Sequence, residues 1–395
     1  MSGPDHDQGG TPPLHVYIIA GEPSGDVIGG RLIEALGEGG PIRVSGVGGP
    51  EMEAAGVKSL FPYNELAIMG LTEVLPSVPR ILRRIRKVVR DIERRKPDVI
   101  VTIDSPGFVF GVIRRLKSRD CPRVHYVAPT IWAWRAGRVK KFRKHFDHLL
   151  ALFPFEPPLF EKAGLDCTFV GHPAAEGAVS AGDGPGFRSR HGIAGDSTLM
   201  CLLPGSRRGE VARLGPVADA VVTRLLRDHP DLRLVVPAAP NVRAAVEELA
   251  RGWGDRVLVV DGGAERYDAF AASDLALAAS GTVTLELAYA GVPTVVIYKV
   301  GKVTGAIARR MIHVEYASIV NIVAGREVFP EFLQMYCLPD DIADALGTWI
   351  GDRAAAEAAG HEAAEIARQV SGEGGKPSRR AAEAVRSIVA GWRTR

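Results

Sequence analysis

Short apolar runs rich in Val and Ile recur along this chain, each followed by a loop carrying Gly or Pro and then by a helical pattern. A first series falls at residues 16–20, 44–47, 98–103, 124–127, 149–153 and 168–170, a second at 199–203, 234–236, 257–260, 275–278 and 294–298. Runs without alternation of apolar and polar residues suit strands covered on both faces, the condition of parallel sheets built from βα units. One continuous sheet of eleven strands is unusual, so two series predict two sheets.

At ~150 residues per domain, 395 residues have room for both. The segment 176–196, rich in Gly, Ala and Ser, is the natural linker between a first domain at 14–175 and a second at 197–370. Residues 1–13 are polar, lack the apolar centre of a signal peptide, and read as a disordered tail. Beyond 339 the chain is Ala-rich and helical, with a break at 372–378 and a helical tail at 371–395. The predicted fold class is α/β: two Rossmann-like domains facing across a cleft, with an Ala-rich helical C-terminal tail. Ligands of such sheets bind beyond the carboxyl ends of the strands, so the loops after the runs are the places to look for chemistry.

Composition removes several classes. Hydrophobic residues make up 46% and charged residues 24%, the balance of a soluble globular protein, which excludes wholesale disorder. The net charge of +3 argues against a dedicated nucleic-acid binder. Cys121, Cys167, Cys201 and Cys337 have neither metal-ligand nor disulfide-scaffold spacing and read as reduced core thiols of a cytoplasmic protein. From 275 to 298 the only charge is Glu286, but Ser280-Gly281-Thr282 and Gly291-Val292-Pro293 divide the stretch into strand, helix and strand, so it is not a membrane span. Gly46-Val47-Gly48 begins a dinucleotide fingerprint that fails at Glu51, and no P-loop lysine or paired-histidine zinc motif is present.

Four loops carry candidate chemistry. Ala20-Gly21-Glu22-Pro23-Ser24-Gly25-Asp26 opens a helix; it suits an anion at the helix N-terminus, or equally a tight turn capped by Ser24 or Asp26. Asp104, within Ile103-Asp104-Ser105-Pro106-Gly107, is a carboxylate at a strand tip, placed either to take a proton from an attacking hydroxyl or to close a turn. In Pro204-Gly205-Ser206-Arg207-Arg208, Gly205 permits close approach and an arginine can fork onto a diphosphate, unless both arginines are simply solvated beside a capped helix. In Ser280-Gly281-Thr282-Val283-Thr284-Leu285-Glu286 the lone Glu286 fits ribose hydroxyls, or a helix start favourable to acids. His172, near the domain boundary, is the one histidine of interest, and a structural role fits it better than a chemical one.

Charge is uneven. Residues 80–96 hold nine Lys or Arg against Asp91 and Glu93, with Ile81, Leu82, Ile85, Val88, Val89 and Ile92 on one helical face. Six more basic residues follow Trp132 and Trp134, at 135–144. The apolar stripe reads as core, and the excess outer charge, including Arg83, Arg84 and Arg90, as a surface for anionic membrane, with apolar residues such as Met69 upstream to receive lipid tails or form a packed lid.

Taken together, AGEPSGD at 20–26, GVGGPEM at 46–52, IDSPGF at 103–108, YVAPTIWAWRAGR at 126–138, FPFE at 153–156, VGHP at 170–173, LLPGSRRGEV at 202–211, SGTVTLE at 280–286 and NIVAGRE at 321–327 with Gln334 resemble the lipid-A-disaccharide synthase family. The resemblance covers about 14–338. It implies the two-domain glycosyltransferase architecture called GT-B and transfer of 2,3-diacylglucosamine from UDP to 2,3-diacylglucosamine 1-phosphate (lipid X), with inversion, to give a β(1→6) disaccharide and UDP. It places Gly205, Ser206 and Arg207 near the diphosphate and Ser280, Gly281, Thr282 and Glu286 near the nucleoside. It implicates Glu22, Asp104 and Asn321 in activity, Asp104 as general base. No cofactor or metal is implied: Arg207 and helix-end amides stabilise the leaving diphosphate. The expected partners are the two lipid substrates and the anionic inner-membrane surface, with no nucleic acid; a homodimer through the C-terminal region is a further family property. The neighbouring alternative is another UDP-sugar enzyme of the same fold, such as the peptidoglycan glycosyltransferase or a UDP-GlcNAc 2-epimerase.

Overall fold

A computed structural model describes residues 12–62, 71–128, 142–176, 182–263, 265–299, 316–373 and 375–394. Of the expected N-terminal tail, only Pro12 and Pro13 fall among them. The chain divides into two compact units, Met1–Gly171 with Gly374–Arg395, and His172–Glu373.

The first unit runs β1 (Leu14–Ala20), α1 (Pro23–Glu38), β2 (Ile42–Val47), α2 (Pro50–Ala54), α3 (Leu71–Arg95), β3 (Val99–Ile103), α4 (Pro106–Ile113), β4 (Arg123–Tyr126), β5 (His148–Ala151), α5 (Glu156–Glu161) and β6 (Asp166–Phe169). The second runs α6 (Gly184–Arg190), β7 (Leu199–Leu203), α7 (Arg208–Asp228), β8 (Arg233–Ala238), α8 (Arg243–Ala250), β9 (Val257–Asp261), α9 (Glu265–Ala272), β10 (Leu275–Ala279), α10 (Thr282–Tyr289), β11 (Thr294–Tyr298), α11 (Ile319–Ala324), β12 (Glu331–Leu333), α12 (Pro339–Gly351) and α13 (Arg353–Ser371). Helix α14 (Pro377–Arg393) then belongs to the first unit.

Each unit holds one parallel six-stranded sheet, ordered β2-β1-β3-β4-β5-β6 and β12-β11-β10-β7-β8-β9. Every residue of β1, β3 and β10 is buried, which is why those runs show no polar alternation. All eleven apolar runs are strands, and the apolar stretch at 275–298 is β10, α10 and β11. The four cysteines are free and buried, and burial pushes the Cys121 thiol up to about 11.

Two boundaries differ from the sequence expectation. Residues 176–196 are not all connector: α6 is capped by the Asp183 carboxylate, which accepts from Gly186 N at 2.8 Å, and Phe187 is fully buried. The C-terminal tail is no appendage either. Arg386 donates to the carbonyls of Leu36 (2.6 Å) and Gly40 (3.0 Å), satisfying the open end of α1, while Arg393 pairs with Asp98 at 2.6 Å and Arg380 donates to Val170 O.

Helix α3 shows how the basic stretch is fixed. Ile85, Val88, Val89 and Ile92, at helical spacing, are buried on the sheet, while Arg83, Arg86, Lys87 and Arg90 are exposed. Asp91, on the buried face, accepts from Tyr17 Oη (3.1 Å), Arg94 and Arg95 Nε (2.8 Å). Burial alone raises its carboxyl; these hydrogen bonds more than reverse that and hold it below the usual carboxylate range.

Candidate functional site

In an open parallel sheet the ligand crevice forms where the strand order reverses. In the first sheet that point lies between β1 and β3, which end in register at Ala20 and Ile103. The two loops leaving it carry Glu22 and Asp104. In the second sheet it lies between β10 and β7, paired at Ala278 and Leu203, and the two loops there are those of Gly205 and Gly281. Both pairs of sequence-selected loops thus flank the switch point of their own sheet.

At the first switch point Glu22, half-buried, is the residue before α1, with extended backbone and no side-chain cap on the helix. Asp26, a candidate cap of its own helix, instead serves the next one: its buried carboxylate accepts from Gly49 N (2.7 Å), Glu51 N (3.0 Å) and Met52 N (3.1 Å), closing the N-terminus of α2. The glycines of 46–52 are packing devices. A Cβ at Gly46, whose φ is +148°, would stand 1.7 Å from Ile18 O.

Asp104 is different. It and Ser105 have φ of +49° and +47°, left-handed values that cost non-glycine residues about 1–3 kcal/mol each. Its amide donates to Tyr126 O at 3.1 Å, but among the described residues its half-buried carboxylate makes no hydrogen bond or ion pair. Ser105 stands before α4 without capping it. Val127, after the neighbouring β4, is also left-handed at φ +76°, a conformation a β-branched residue seldom adopts.

In the second unit Gly205, Ser206, Arg207, Ser280, Gly281, Thr282 and Glu286 line one cavity of about 420 Å³, completed by Pro237, Gly262, Arg266 and Phe270. Gly205 has φ +126°, and a Cβ there would meet Glu210 Cβ at 2.5 Å. The amides of Ser206 and Arg207, expected to point at a phosphate, donate to Glu210 Oε2 at 3.0 and 3.2 Å, an anion supplied by the chain itself. Arg207 is exposed and within 3.4 Å of Glu210 Oε1. The N-terminus of α10, by contrast, follows Gly281 and has no side-chain cap. Glu286 lies one turn into that helix, 14% exposed, with Arg266 Nη2 at 3.4 Å.

Asn321 does not face the cavity. It is fully buried; its Nδ2 donates to Phe329 O (2.8 Å) and Glu331 Oε1 (2.7 Å), and its Oδ1 accepts from Val328 N (2.8 Å) and Phe329 N (2.9 Å). Both amide donors and both acceptor positions are filled, so Asn321 braces the 316–331 segment and has nothing left to offer a substrate. The brace reaches the cavity, because Ser280 Oγ donates to Ala317 O at 3.0 Å and Glu331 holds the Ala317 and Ser318 amides. His172 is likewise structural: burial lowers it to about 4, and its Nδ1 accepts from Ala174 N at 3.1 Å.

Of the residues expected to meet a membrane, Arg83 and Arg90 are exposed on α3, whereas Arg84 is half-buried over the Phe61 ring at 4.8 Å. Met69, Trp132 and Trp134 lie outside the described residues, as do all but the last three of residues 135–144. Arg266 carries no local signal in the sequence; only its place on α9, after the Gly262-Gly263 loop that follows β9, marks it as a wall of the cavity.

Among solved structures the fold is similar to S. aureus MnaA with UDP (TM-score 0.63, 15% identity, 96% of this chain and 97% of that one). It is similar also to Acinetobacter baumannii MurG (TM-score 0.59, 14% identity, 95% and 100%). At such identities the likeness is one of fold, the GT-B glycosyltransferase architecture. Sequence likeness goes further. A lipid-A-disaccharide synthase of Rhodospirillum centenum is 49% identical over 381 residues, 95% of each chain. That of Paramagnetospirillum magneticum is 48% identical over 383 residues, 95% of this chain and 97% of that one. With the family model matching residues 16–385, the chain belongs to the lipid-A-disaccharide synthetase family.

Proposed function

We infer that this glycosyltransferase moves a 2,3-diacylglucosamine unit from UDP to the 6-hydroxyl of 2,3-diacylglucosamine 1-phosphate. The C1–O bond to UDP breaks as the C1–O6 bond forms on the opposite face, the hydroxyl proton passes to a base, and UDP leaves. The observation that carries the donor side is the convergence of all seven sequence-selected residues on one cavity of the second unit. There the uncapped N-terminus of α10 is the natural seat for the diphosphate, with amides at Thr282 and Val283 and the helix dipole behind them. Glu286 accepts from the ribose hydroxyls. Arg207, exposed at the rim, is a cation that can exchange Glu210 for a phosphate oxygen.

Asp104 is the base: a carboxylate at a strand tip without a partner among the described residues, on a left-handed backbone next to the switch point. Glu22 supports the acceptor from the neighbouring loop, and Asn321 acts by positioning. Incubation with both lipid substrates and mass spectrometry is the test. A disaccharide phosphate with stoichiometric UDP is expected; turnover of UDP-GlcNAc or another UDP-sugar without that product overturns the assignment.

The same reading places the enzyme peripherally on the anionic inner-membrane surface through α3. No helix among the described residues is long and apolar enough to cross a membrane. The exposed Arg83, Arg86, Lys87 and Arg90 recur at three- and four-residue intervals, a cationic face aimed away from the core.

A further inference from the structure

We propose that Arg266 is a positioning residue of the donor site, orienting the Glu286 carboxylate for the ribose hydroxyls, with Tyr267 as its support. The inference rests on the assignment of Glu286 to the ribose. A lone carboxylate on a largely apolar helix has freedom to turn, and a bidentate contact with two vicinal hydroxyls requires one orientation. Arg266 comes from α9, the preceding helix of the chain: its Nη2 lies 3.4 Å from Glu286 Oε1 and donates to Tyr267 Oη at 2.6 Å.

The guanidinium is itself held. Its Cζ sits 4.6 Å from the centroid of the Tyr267 ring, a stacking contact that fixes its plane. Tyr267 in turn is set edge-on against the buried Phe270 at 6.1 Å between centroids, so the chain Phe270, Tyr267, Arg266, Glu286 runs from core to cavity wall. At 3.4 Å the Arg266–Glu286 contact is longer than an optimal charge-assisted hydrogen bond, which leaves the carboxylate room to accept from a ligand while its orientation is kept. Arg266 Nε is buried without a hydrogen-bond partner among the described residues, so the side chain is not placed there by a saturated structural network of the kind Asn321 makes.

The test is a cycle between protein and ligand, measured by calorimetry with uridine, UDP and 2′,3′-dideoxy-UDP. Wild type binds UDP more tightly than the dideoxy ligand, and Glu286→Gln removes most of that preference. Arg266→Met weakens uridine and UDP by the same factor, roughly tenfold as for other orienting partners, and leaves dideoxy-UDP nearly unchanged. Arg266→Lys recovers part of the loss, and Tyr267→Phe reproduces it at reduced size. Kinetically the loss appears in KM for the donor with kcat retained. Equal weakening of all three ligands by Arg266→Met marks a packing role and overturns the inference. Weakening of UDP but not uridine marks a direct diphosphate contact and overturns it as well. If wild type itself does not distinguish UDP from the dideoxy ligand, the ribose assignment of Glu286 fails, a result separable from either.

Discussion

The two switch points each lie where a parallel sheet reverses its strand order, and they use opposite means. At the second, backbone that must turn left is mostly glycine, as at Gly205, and acids are committed: Glu210 to two amides, Glu331 to two amides and Asn321, Glu286 to Arg266. At the first, three consecutive-strand loop residues that are not glycine, Asp104, Ser105 and Val127, sit at positive φ. Asp26 and Glu156 are committed to backbone amides there too, but the Asp104 carboxylate has no partner among the described residues. A relaxed edge with every acid engaged holds a ligand in one pose. A strained edge with one unengaged carboxylate stores free energy where a proton must move. On the proposed assignment, the difference separates a binding half from a reacting half.

The largest test of that contrast is Asp104. Replacement by Asn keeps shape and hydrogen bonding but removes the proposed base, and kcat is expected to fall by about 10²–10⁴-fold while UDP affinity is unchanged. Asp104→Gly relieves the left-handed backbone, so it is expected to raise Tm by the equivalent of about 1 kcal/mol while remaining inactive. Steady-state kinetics and thermal unfolding of the pair decide the matter. An Asn variant of near-normal turnover, or a Gly variant less stable than wild type, removes the distinction between the two edges.

The second test takes the relaxed edge at its word. Asn321→Ala deletes four hydrogen bonds from a buried site and leaves the Val328 and Phe329 amides without an acceptor, an expected loss of about 2–4 kcal/mol in denaturant unfolding. A variant as stable as wild type but catalytically dead would instead make Asn321 a substrate contact.

A third test uses acid. Burial lowers His125 in the first unit to about 3 and His172 in the second to about 4. A histidine depressed in the fold contributes stability that is present above its unfolded value of ~6.5 and is lost as pH falls toward the folded value. Between about pH 6.5 and 4 the unfolded chain binds the extra protons, so stability declines there. His172→Gln is expected to flatten that decline by on the order of 2 kcal/mol at the acid end. An unchanged slope in unfolding free energy against pH would falsify the assignment.

Most of the fold was legible because burial on both sheet faces writes continuous apolar runs. The exception, β12, is a three-residue edge strand whose residues are half-buried, so it has no run to show. The linker expectation failed at α6 for a physical reason: Gly182 and Gly184 are small because the carbonyls of Tyr267 and Ala271 lie 2.3 Å from where a Cβ would stand. Glycine there serves close packing, which composition cannot distinguish from flexibility. In the site, loops announce themselves by glycine after a strand, and the seven residues chosen that way line one cavity. What a side chain bonds to is not local: the saturation of Asn321 depends on Phe329 and Glu331, and Arg266 meets Glu286 across twenty residues of sequence.

The smallest effect concerns where each unit meets lipid. If the reacting half also carries the membrane contact, the exposed stripe of α3 is its means, and each charge there is worth about 1 kcal/mol toward an anionic surface, some fivefold in binding. Arg83→Gln and Arg90→Gln are each expected to reduce flotation with anionic vesicles by about that factor, and the loss should vanish at high salt as the field is screened. Arg84→Gln should cost less, since its guanidinium is engaged over Phe61 and half-buried. Catalysis on a detergent-dispersed substrate should be untouched by any of the three, because none lies at a strand's carboxyl end. Vesicle binding indifferent to the double substitution and to salt would move the membrane contact away from α3, and with it the assignment of lipid to the first unit.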